Sequence, residues 1–297
     1  MSPKRHNVVF DEVGLKRFAV IARSINFVAG HTIASHFHER DQLVYACRGV
    51  MTVQTRDGTW VVPTYRAVWV PAGVPHTVTM SGSVSMRSLY VKSRLFHSMS
   101  RVCRVINVSP LLKELISYAC DCSPLNRAIQ RHRHLVAMIA DQLQTIRSEA
   151  LHLPNPTDPR ALRLVRILLA DPGGHDSLVD LCKQVGASKR TIERLFLAEM
   201  GMSCGKWRQV LRLMHAMRLL ADGAKVTRAA LESGYSTPSA FISMFRTTLG
   251  TTPTQYLRVG VEPLIGHDRP PKSPLVGIAV PSLPQRHGRC SQRSRRG

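Results

Sequence analysis

The segments DSLVDLCKQVGASKRTIERLF (176–196) and KVTRAALESGYSTPSAFISMF (225–245) follow one internal plan. Each has an apolar-periodic helix, a turn at a glycine (Gly186, Gly234) and a hydroxyl residue where a second helix should start (Ser188, Thr237). Each then ends on an apolar-Phe pair, Leu195-Phe196 and Met244-Phe245. This spacing predicts a duplicated helix-turn-helix. One such unit reads a few base pairs, whereas two held apart on one chain can read adjacent major grooves.

The surrounding residues fill in the plan. A first helix is predicted through ALRLVRILLAD, with Leu162, Val165, Leu168 and Leu169 inward, stopping at Asp171-Pro172-Gly173. Ser177 caps the next helix, whose Leu178, Leu181, Cys182 and Val185 point inward. Ser188 caps the following one and leaves Lys189, Arg190, Glu193 and Arg194 outward. Arginine can bond guanine O6 and N7 bidentately and glutamate can accept from cytosine N4, so these four are the expected base readers. Between the units, SCGKWRQVLRLMHAMRLLADG (203–223) carries Trp207, Leu211, Met214, Met217 and Leu220 at helical spacing. A helix of about 19 residues spans roughly 28 Å, close to the ~34 Å of one DNA turn. In the second unit Pro238, Ser239, Ile242 and Ser243 face outward, a weaker base-reading set that is expected to add thymine-methyl packing and positioning. Ser188, Thr191, Lys206, Arg208, Thr237, Arg246 and Thr252 are expected on phosphates.

Charge agrees with a polyanionic partner. The chain has 41 Lys+Arg against 19 Asp+Glu, a formal net charge of +22, spread along its length. Seven cysteines lie scattered without a CxxC pair, and the first residues have no secretory pattern, so a reduced, cytoplasmic protein is expected. Cys120-x-Cys122 reads as two small residues near a helix end in preference to a redox pair. No apolar run approaches the ~20 residues of a membrane span.

The first half reads differently. From about 17 to 92 it consists of short β-prone runs, FAVIARSINFV, DQLVYACRG, VMTVQT, WVVPTYRAVWVP, HTVTM and VSMRSLYVK, with Asp57-Gly58 marking a hairpin. From 109 the pattern turns helical, with Ser109-Pro110 opening one helix and Ser123-Pro124 a longer one through about 149. Leu125, Ile129, His132, Val136, Ile139, Leu143 and Ile146 form a heptad-like seam on the longer helix. It is read as a dimerisation helix, with packing against the β half as the alternative. HLPNPTDP (152–159) is proline-rich and reads as a linker, and 261–297 as a disordered basic tail. The resulting division is 1–108, 109–151, 152–159, 160–260 and 261–297.

On Ala187-Ser188 through Phe196, Gly201-Met202-Ser203, Trp207-Arg208 and AALESGYSTPSAFISMFRTTLGTTPTQY, the chain closely resembles the AraC/XylS family of bacterial transcriptional regulators. That resemblance implies two helix-turn-helix subdomains joined by a long helix, with recognition helices at about 188–199 and 237–248. It departs from the family at Ser243, where a basic residue is common. In the β half, Gly30-x5-His36-x-His38-x3-Gln42-x6-Gly49 and Pro71-x-Gly73-xx-His76 resemble the two cupin motifs. Gln42 stands where metal-binding cupins carry glutamate, and Tyr65 and Met80 replace the usual Gly and Asn. The expected fold is therefore α+β with two domains: an N-terminal cupin-like β-barrel, linking helices, and an all-α double helix-turn-helix.

His36, His38, Gln42, Tyr45, Trp69 and His76 are expected to line an effector pocket, the role such a domain typically has in this family. His36, His38 and His76 are also the candidate ligands of a metal, or simply satisfied polar groups, and loss of the anionic ligand disfavours the metal. No cofactor and no catalytic residue are expected. The implied function is a sequence-specific DNA-binding transcriptional regulator responding to a small-molecule effector. Its expected partners are double-stranded operator DNA, the effector, a second copy of the chain and RNA polymerase, with no membrane. The rival reading is a metal-dependent cupin enzyme with an appended helical domain, which Gln42 and the double helix-turn-helix both disfavour.

Overall fold

The computed structural model describes residues 17–96, 99–144 and 152–259. An eight-stranded antiparallel sheet is built from β1 (Val20–Phe27), β2 (Thr32–His36), β3 (Asp41–Gln54), β4 (Gly58–Val62), β5 (Arg66–Val70), β6 (His76–Val91), β7 (Arg104–Asn107) and β8 (His152–Pro154). β3 and β6 run side by side from Asp41↔Val91 to Gln54↔Thr77. The other edge of β3 carries β5 along its first half and β4 along its second. The sheet therefore folds over on itself and encloses an apolar interior.

The sequence suggests DQLVYACRG and VMTVQT as separate strands, and HTVTM and VSMRSLYVK likewise. In the structure each pair is one long strand, bent at Gly49 (φ 79°) and Gly82 (φ 66°). The β3–β6 register slips between Ala46 and Arg48 and again before Val50. These bulges bend the strands without ending them and change which residues face inward. Val44 and Ala46 face the interior before them, and Met51 and Val53 after. The Asp57-Gly58 hairpin forms as expected, with Thr55 N donating to Gly58 O at 2.9 Å.

The opposite face of the first half of the sheet, with Leu43, Tyr45, Trp69 and Leu89, packs under α1 (Pro110–Cys122) and α2 (Gln130–Gln144). Ser109 starts α1 as predicted, accepting from Leu112 N at 3.1 Å. The second helix begins at Gln130 and not at Pro124. The residues before it are tied to β1: Leu125 N donates to Val20 O at 2.9 Å, and Ser123 Oγ accepts from Ala22 N at 2.9 Å. The heptad-like seam is a correction too. Leu125, Val136, Ile139 and Leu143 are buried in the same core as Tyr45 and Trp69, Ile129 is 39% exposed, and Ile146 lies outside the described residues. A helix lying on a sheet and a helix lying on another helix need the same apolar stripe, so spacing alone does not separate them.

The expected linker is half a strand. His152–Pro154 pairs with β4 from Trp60↔His152 to Gly58↔Pro154, and the His152 ring stacks on Trp60 at 4.5 Å. Asp158 then caps α3 (Pro159–Ala170), accepting from Arg160 N at 2.8 Å. Ala161, Leu164, Val165 and Leu168 form its buried face, whereas Leu169, expected inside, is 40% exposed.

Six further helices follow: α4 (Leu178–Gln184), α5 (Lys189–Met200), α6 (Cys204–Ala221), α7 (Val226–Glu232), α8 (Pro238–Leu249) and α9 (Pro253–Val259). α6 is their axle, with Trp207, Leu211, Met214, Ala216 and Met217 wholly buried. Its core also takes in Val50, Val61 and Leu153 from the sheet, and Trp207 Nε1 donates to Pro154 O at 3.1 Å. At the C-terminal end of α6, Gly82 N donates to Asp222 Oδ1 at 2.5 Å. A side chain at Gly82 would collide with the Ala221 carbonyl, so the bulge brings bare backbone against the helix end. No helix among the described residues is long and apolar enough to cross a membrane.

Burial holds the His152 imidazole well below its ordinary pKa, at about 4, against a smaller opposing pull from Asp57. The unfolded chain therefore takes up this proton first. The stabilising share of His152 is intact above about pH 6.5 and is lost as pH falls toward 4. Acidification from pH 7 to 4.5 should lower Tm in wild type more than in His152→Phe, by roughly 5 °C. Scanning calorimetry at several pH values checks this, and parallel acid limbs would contradict it.

Candidate functional site

The two helix-turn-helix units are built by the same local chemistry. In each, the residue after the turn glycine bonds back to the first helix: Ala187 N to Cys182 O at 3.0 Å, Tyr235 N to Ala230 O at 3.1 Å. In each, a hydroxyl caps the second helix: Ser188 Oγ accepts from Thr191 N at 3.1 Å and Thr237 Oγ1 from Ala240 N at 3.2 Å. Both second helices stop at a left-handed glycine, Gly201 (φ 67°) and Gly250 (φ 73°). Ile192 and Phe196 anchor α5, and Phe241 and Phe245 anchor α8, all fully buried.

What is left outward differs between the units. On α5, Lys189, Arg190 and Arg194 are exposed. Leu197, 57% exposed, stands one and two turns along from Arg194 and Arg190 on the same face. Sequence analysis does not single it out, because an apolar residue carries no base-reading signal of its own. On α8, Ser239, Ile242, Ser243 and Arg246 are exposed, and Pro238 opens the helix half-buried. Lys206 is exposed at the start of α6.

Two expected DNA contacts have other duties. Glu193 is half-buried, and its Oε2 accepts from Cys204 N at 3.1 Å. Its carboxylate thus holds the positive end of α6, where an anion is favoured, and is not turned out as a base reader. Arg208, expected on phosphate, donates from Nη1 to Asp176 O at 2.8 Å and from Nη2 to Gly174 O at 2.5 Å. Arg212 Nη2 reaches the same Gly174 carbonyl at 2.7 Å. These two arginines clamp the loop before α4, which presses on the turn of the second unit. A side chain at Gly234 would lie 2.5 Å from Gly173 O and 2.9 Å from the Arg212 guanidinium. Thr252 caps the start of α9, accepting from Gln255 N at 3.3 Å.

A second cluster lies in the sheet interior. His36, from the end of β2, and His76, from the start of β6, are paired across the ladder, and His38 follows two residues after His36. The three rings are buried with centroids 4.3 to 5.3 Å apart. His36 Nδ1 lies 2.7 Å from Ala34 O, and His76 Nδ1 lies 2.9 Å from Val74 O. Gln42 comes in from β3 with its Oε1 3.1 Å from His76 Nε2. Its Nε2 donates to Ser88 Oγ at 3.2 Å and Tyr90 Oη at 3.1 Å. Burial lowers the pKa of all three histidines, to about 3 for His38 and about 4 for His76, and the neighbouring His36 imidazole lowers those two further. Neutral imidazoles are ligands for borderline dications such as zinc, and the three offer ring nitrogens within 4.8 Å of one another. The donor set fits such an ion and not a hard oxygen-seeking one.

Tyr45 and Trp69 do not join this cluster. Both are buried on the other side of the sheet, in the core beneath α1 and α2, where Trp69 Nε1 donates to Ser100 O at 3.2 Å. Residues 42 and 45 differ by an odd number on one unbroken stretch of strand, and Trp69 pairs with Leu43, so the period of two sends them outward. Ser88 and Tyr90 take their place. They stand opposite Val44 and Gln42 on β6, and the second half of that strand could be registered only once β3 and β6 were known to pair. A separate cleft of about 570 Å³ opens where the sheet meets α6, lined by Arg48, Thr64, Gly82, Leu220, Asp222 and Tyr256 among others.

Known proteins carry the same two parts. A family model described as a helix-turn-helix domain matches residues 181–258, and one described as an AraC-like ligand binding domain matches residues 18–199. The HTH-type transcriptional regulator NimR of Escherichia coli (strain K12) is 31% identical over 222 residues, covering 75% of this chain and 81% of NimR. RipA of Corynebacterium glutamicum, also an HTH-type transcriptional regulator, is 30% identical over 103 residues, 35% of this chain and 31% of RipA. Among solved structures, ToxT from Vibrio cholerae with a bound unsaturated fatty acid is 12% identical, covering 81% of this chain and 95% of its own, at a TM-score of 0.35.

The different duties of Glu193 and Arg190 can be separated by melting. Glu193→Ala removes a helix cap and should lower Tm by roughly 2–5 °C, while Arg190→Ala should leave it within about 1 °C of wild type. Equal melting of the two variants would return Glu193 to the outward set.

Proposed function

The chain belongs to the AraC family of helix-turn-helix transcriptional regulators, and from that premise we propose how its residues divide the work on DNA and effector. α5 is the main reader: Arg190 and Arg194 bond base edges, Lys189 acts at the groove edge, and Leu197 packs on thymine methyl groups. α8 inserts Pro238, Ser239, Ile242 and Ser243, a face whose weak polarity suits methyl contact and positioning. Lys206 and Arg246 meet phosphates. The capped helix starts at Ser188-Thr191, Thr237 and Thr252 turn backbone N–H groups toward the same backbone. The observation that carries this reading is the repetition of one capped, glycine-turned unit on both sides of the buried α6, with a basic, exposed face on the first.

The interior around His36, His38, Gln42 and His76, with Ser88 and Tyr90, is the effector site. β3 and β6 run directly from that cluster to the bulges at Gly49 and Gly82, so a ligand that tightens one end bears on the contact of Gly82 with Asp222 at the other. Its effect is a shift between presentations of the DNA-binding half, set by differential affinity for them. The protein works in the cytoplasm on RNA polymerase. If it acts as a homodimer, the contact lies elsewhere than the α2 seam, which is spent on the sheet.

Affinity for duplex from its own upstream region against random duplex, across a salt series, tests the DNA reading. Arg190→Ala should cost about 1–3 kcal/mol on the preferred site and relax one position. Arg246→Ala should weaken all sequences alike and reduce the salt slope by about 1. Equal loss of discrimination in Arg190→Ala and Ser239→Ala would contradict the ranking of the two units.

A further inference from the structure

The two second helices correspond residue for residue. A constant offset along the chain relates the caps Ser188 and Thr237, the anchors Ile192 and Phe241, the anchors Phe196 and Phe245, and the left-handed stops Gly201 and Gly250. The same offset relates the next caps, Ser203 and Thr252, and then two buried aromatics, Trp207 and Tyr256. Each aromatic stands edge-on to the second anchor of its unit, at 6.1 Å for Phe196–Trp207 and 5.5 Å for Phe245–Tyr256. In this alignment Ile242 takes the place of Glu193, and Pro253 that of Cys204. Glu193 is drawn inward because its carboxylate accepts from Cys204 N. Pro253 has no backbone hydrogen to donate, so that duty does not exist in the second unit. The side chain at 242 is left outward, and Ile242 is 37% exposed.

Its surroundings leave it the only discriminating group there. From Pro238 to Ser243 the helix carries no amide, carboxylate, guanidinium or ammonium side chain. Bidentate bonds to guanine or adenine edges need such a group, so this stretch cannot read a base pair in that way. Ser239 and Ser243 are exposed, but a hydroxyl suits any base edge, and Arg246 lies a further turn along. A single exposed isoleucine on an ordinary surface has no consequence. Here it stands between the two serines on the stripe that runs to Arg246, and it is the one large apolar side chain on that stripe. The apolar group that a base edge presents in the major groove is the thymine C5 methyl.

We propose that Ile242 is the specificity-determining residue of α8 and that it selects thymine through the C5 methyl group. This deepens the reading of α8 as the second DNA-reading helix and rests on it. The two half-sites are then told apart by different chemistry, hydrogen bonds from Arg190 and Arg194 at one and a methyl contact at the other. A methyl contact does not depend on the hydrogen-bonding edge that carries it. 5-Methylcytosine presents the same group at the same place, so a cytosine at this position becomes a better site when methylated.

The test uses the full-length protein and the preferred duplex from its own upstream region, with each thymine replaced in turn by deoxyuridine, which removes the methyl alone. Wild type should lose roughly three- to fivefold in affinity at a thymine read by Ile242, the effect of one buried methyl. Ile242→Ala should bind the unmodified duplex more weakly by at least that factor and no longer distinguish thymine from uracil there. Cytosine at that position should weaken wild-type binding, and 5-methylcytosine should restore most of the loss. Uracil responses that survive in Ile242→Ala and vanish in Leu197→Ala belong to α5. Ile242 is exposed, so the variant should melt with wild type, and the uracil scan on wild type needs no variant. Indifference of wild type to uracil at every thymine would overturn the proposal, as would uracil responses that all persist unchanged in Ile242→Ala. Preference for this duplex over random duplex, retained while no uracil response depends on Ile242, overturns the methyl contact alone. Loss of that preference altogether overturns the reading of α8 beneath it.

Discussion

Burial of α6 on nearly every side is the constraint from which the architecture follows. Its eighteen residues place Trp207, Leu211, Met214 and Met217 in one continuous core with α5, α7 and α8 and with Val50, Val61 and Leu153 of the sheet. Fully burying one large apolar side chain stabilises by roughly 1.5–3 kcal/mol, so this single helix contributes a large part of the cohesion of the DNA-binding half. It also fixes distance. At ~1.5 Å per residue it is a rod of roughly 27 Å between the two units. Loop chemistry then fixes their orientation, through Arg208 and Arg212 on the Gly174 carbonyl and the close approach of Gly173 to Gly234.

The helical half was largely legible because its signals are local. Ser177, Ser188, Ser203 and Thr237 all cap helices, and Gly186 and Gly234 both take the positive φ that their turns need. Misreadings occurred where a polar residue is used inside the protein. Glu193 and Arg208 have the composition of DNA contacts, but their partners, Cys204 N and the Gly174 and Asp176 carbonyls, come from distant turns that local periodicity does not reveal.

The sheet half was legible in kind but not in register. Alternation and the Asp57-Gly58 turn announce antiparallel strands, yet the extra residue in β3 between Ala46 and Arg48 reverses the inward parity partway along it. Histidine spacing placed His36, His38 and His76 together correctly, since two lie on alternate residues and the third pairs with His36 across the ladder. Tyr45 and Trp69 went to the wrong side because bulk and aromaticity suit a ligand pocket and a helix-covered core equally. The α2 stripe was ambiguous for a similar reason, and only the sheet beneath it decides its partner.

The sheet and the DNA-binding helices therefore meet through direct contacts, the apolar packing of Val50, Val61 and Leu153 on α6 and the bonds of Trp207 and Asp222 to sheet backbone. The interior histidines stand at one end of β2 and β6, the bare backbone of Gly82 lies at the middle of β6, and Asp222 waits at the end of α6. The most direct measurement is guanine N7 protection from dimethyl sulfate on the bound operator. Two protected clusters per chain, centred about one helical turn apart on one face of the duplex, are predicted if α5 and α8 enter successive major grooves. A single cluster, or two on opposite faces, would contradict the paired use of the two units.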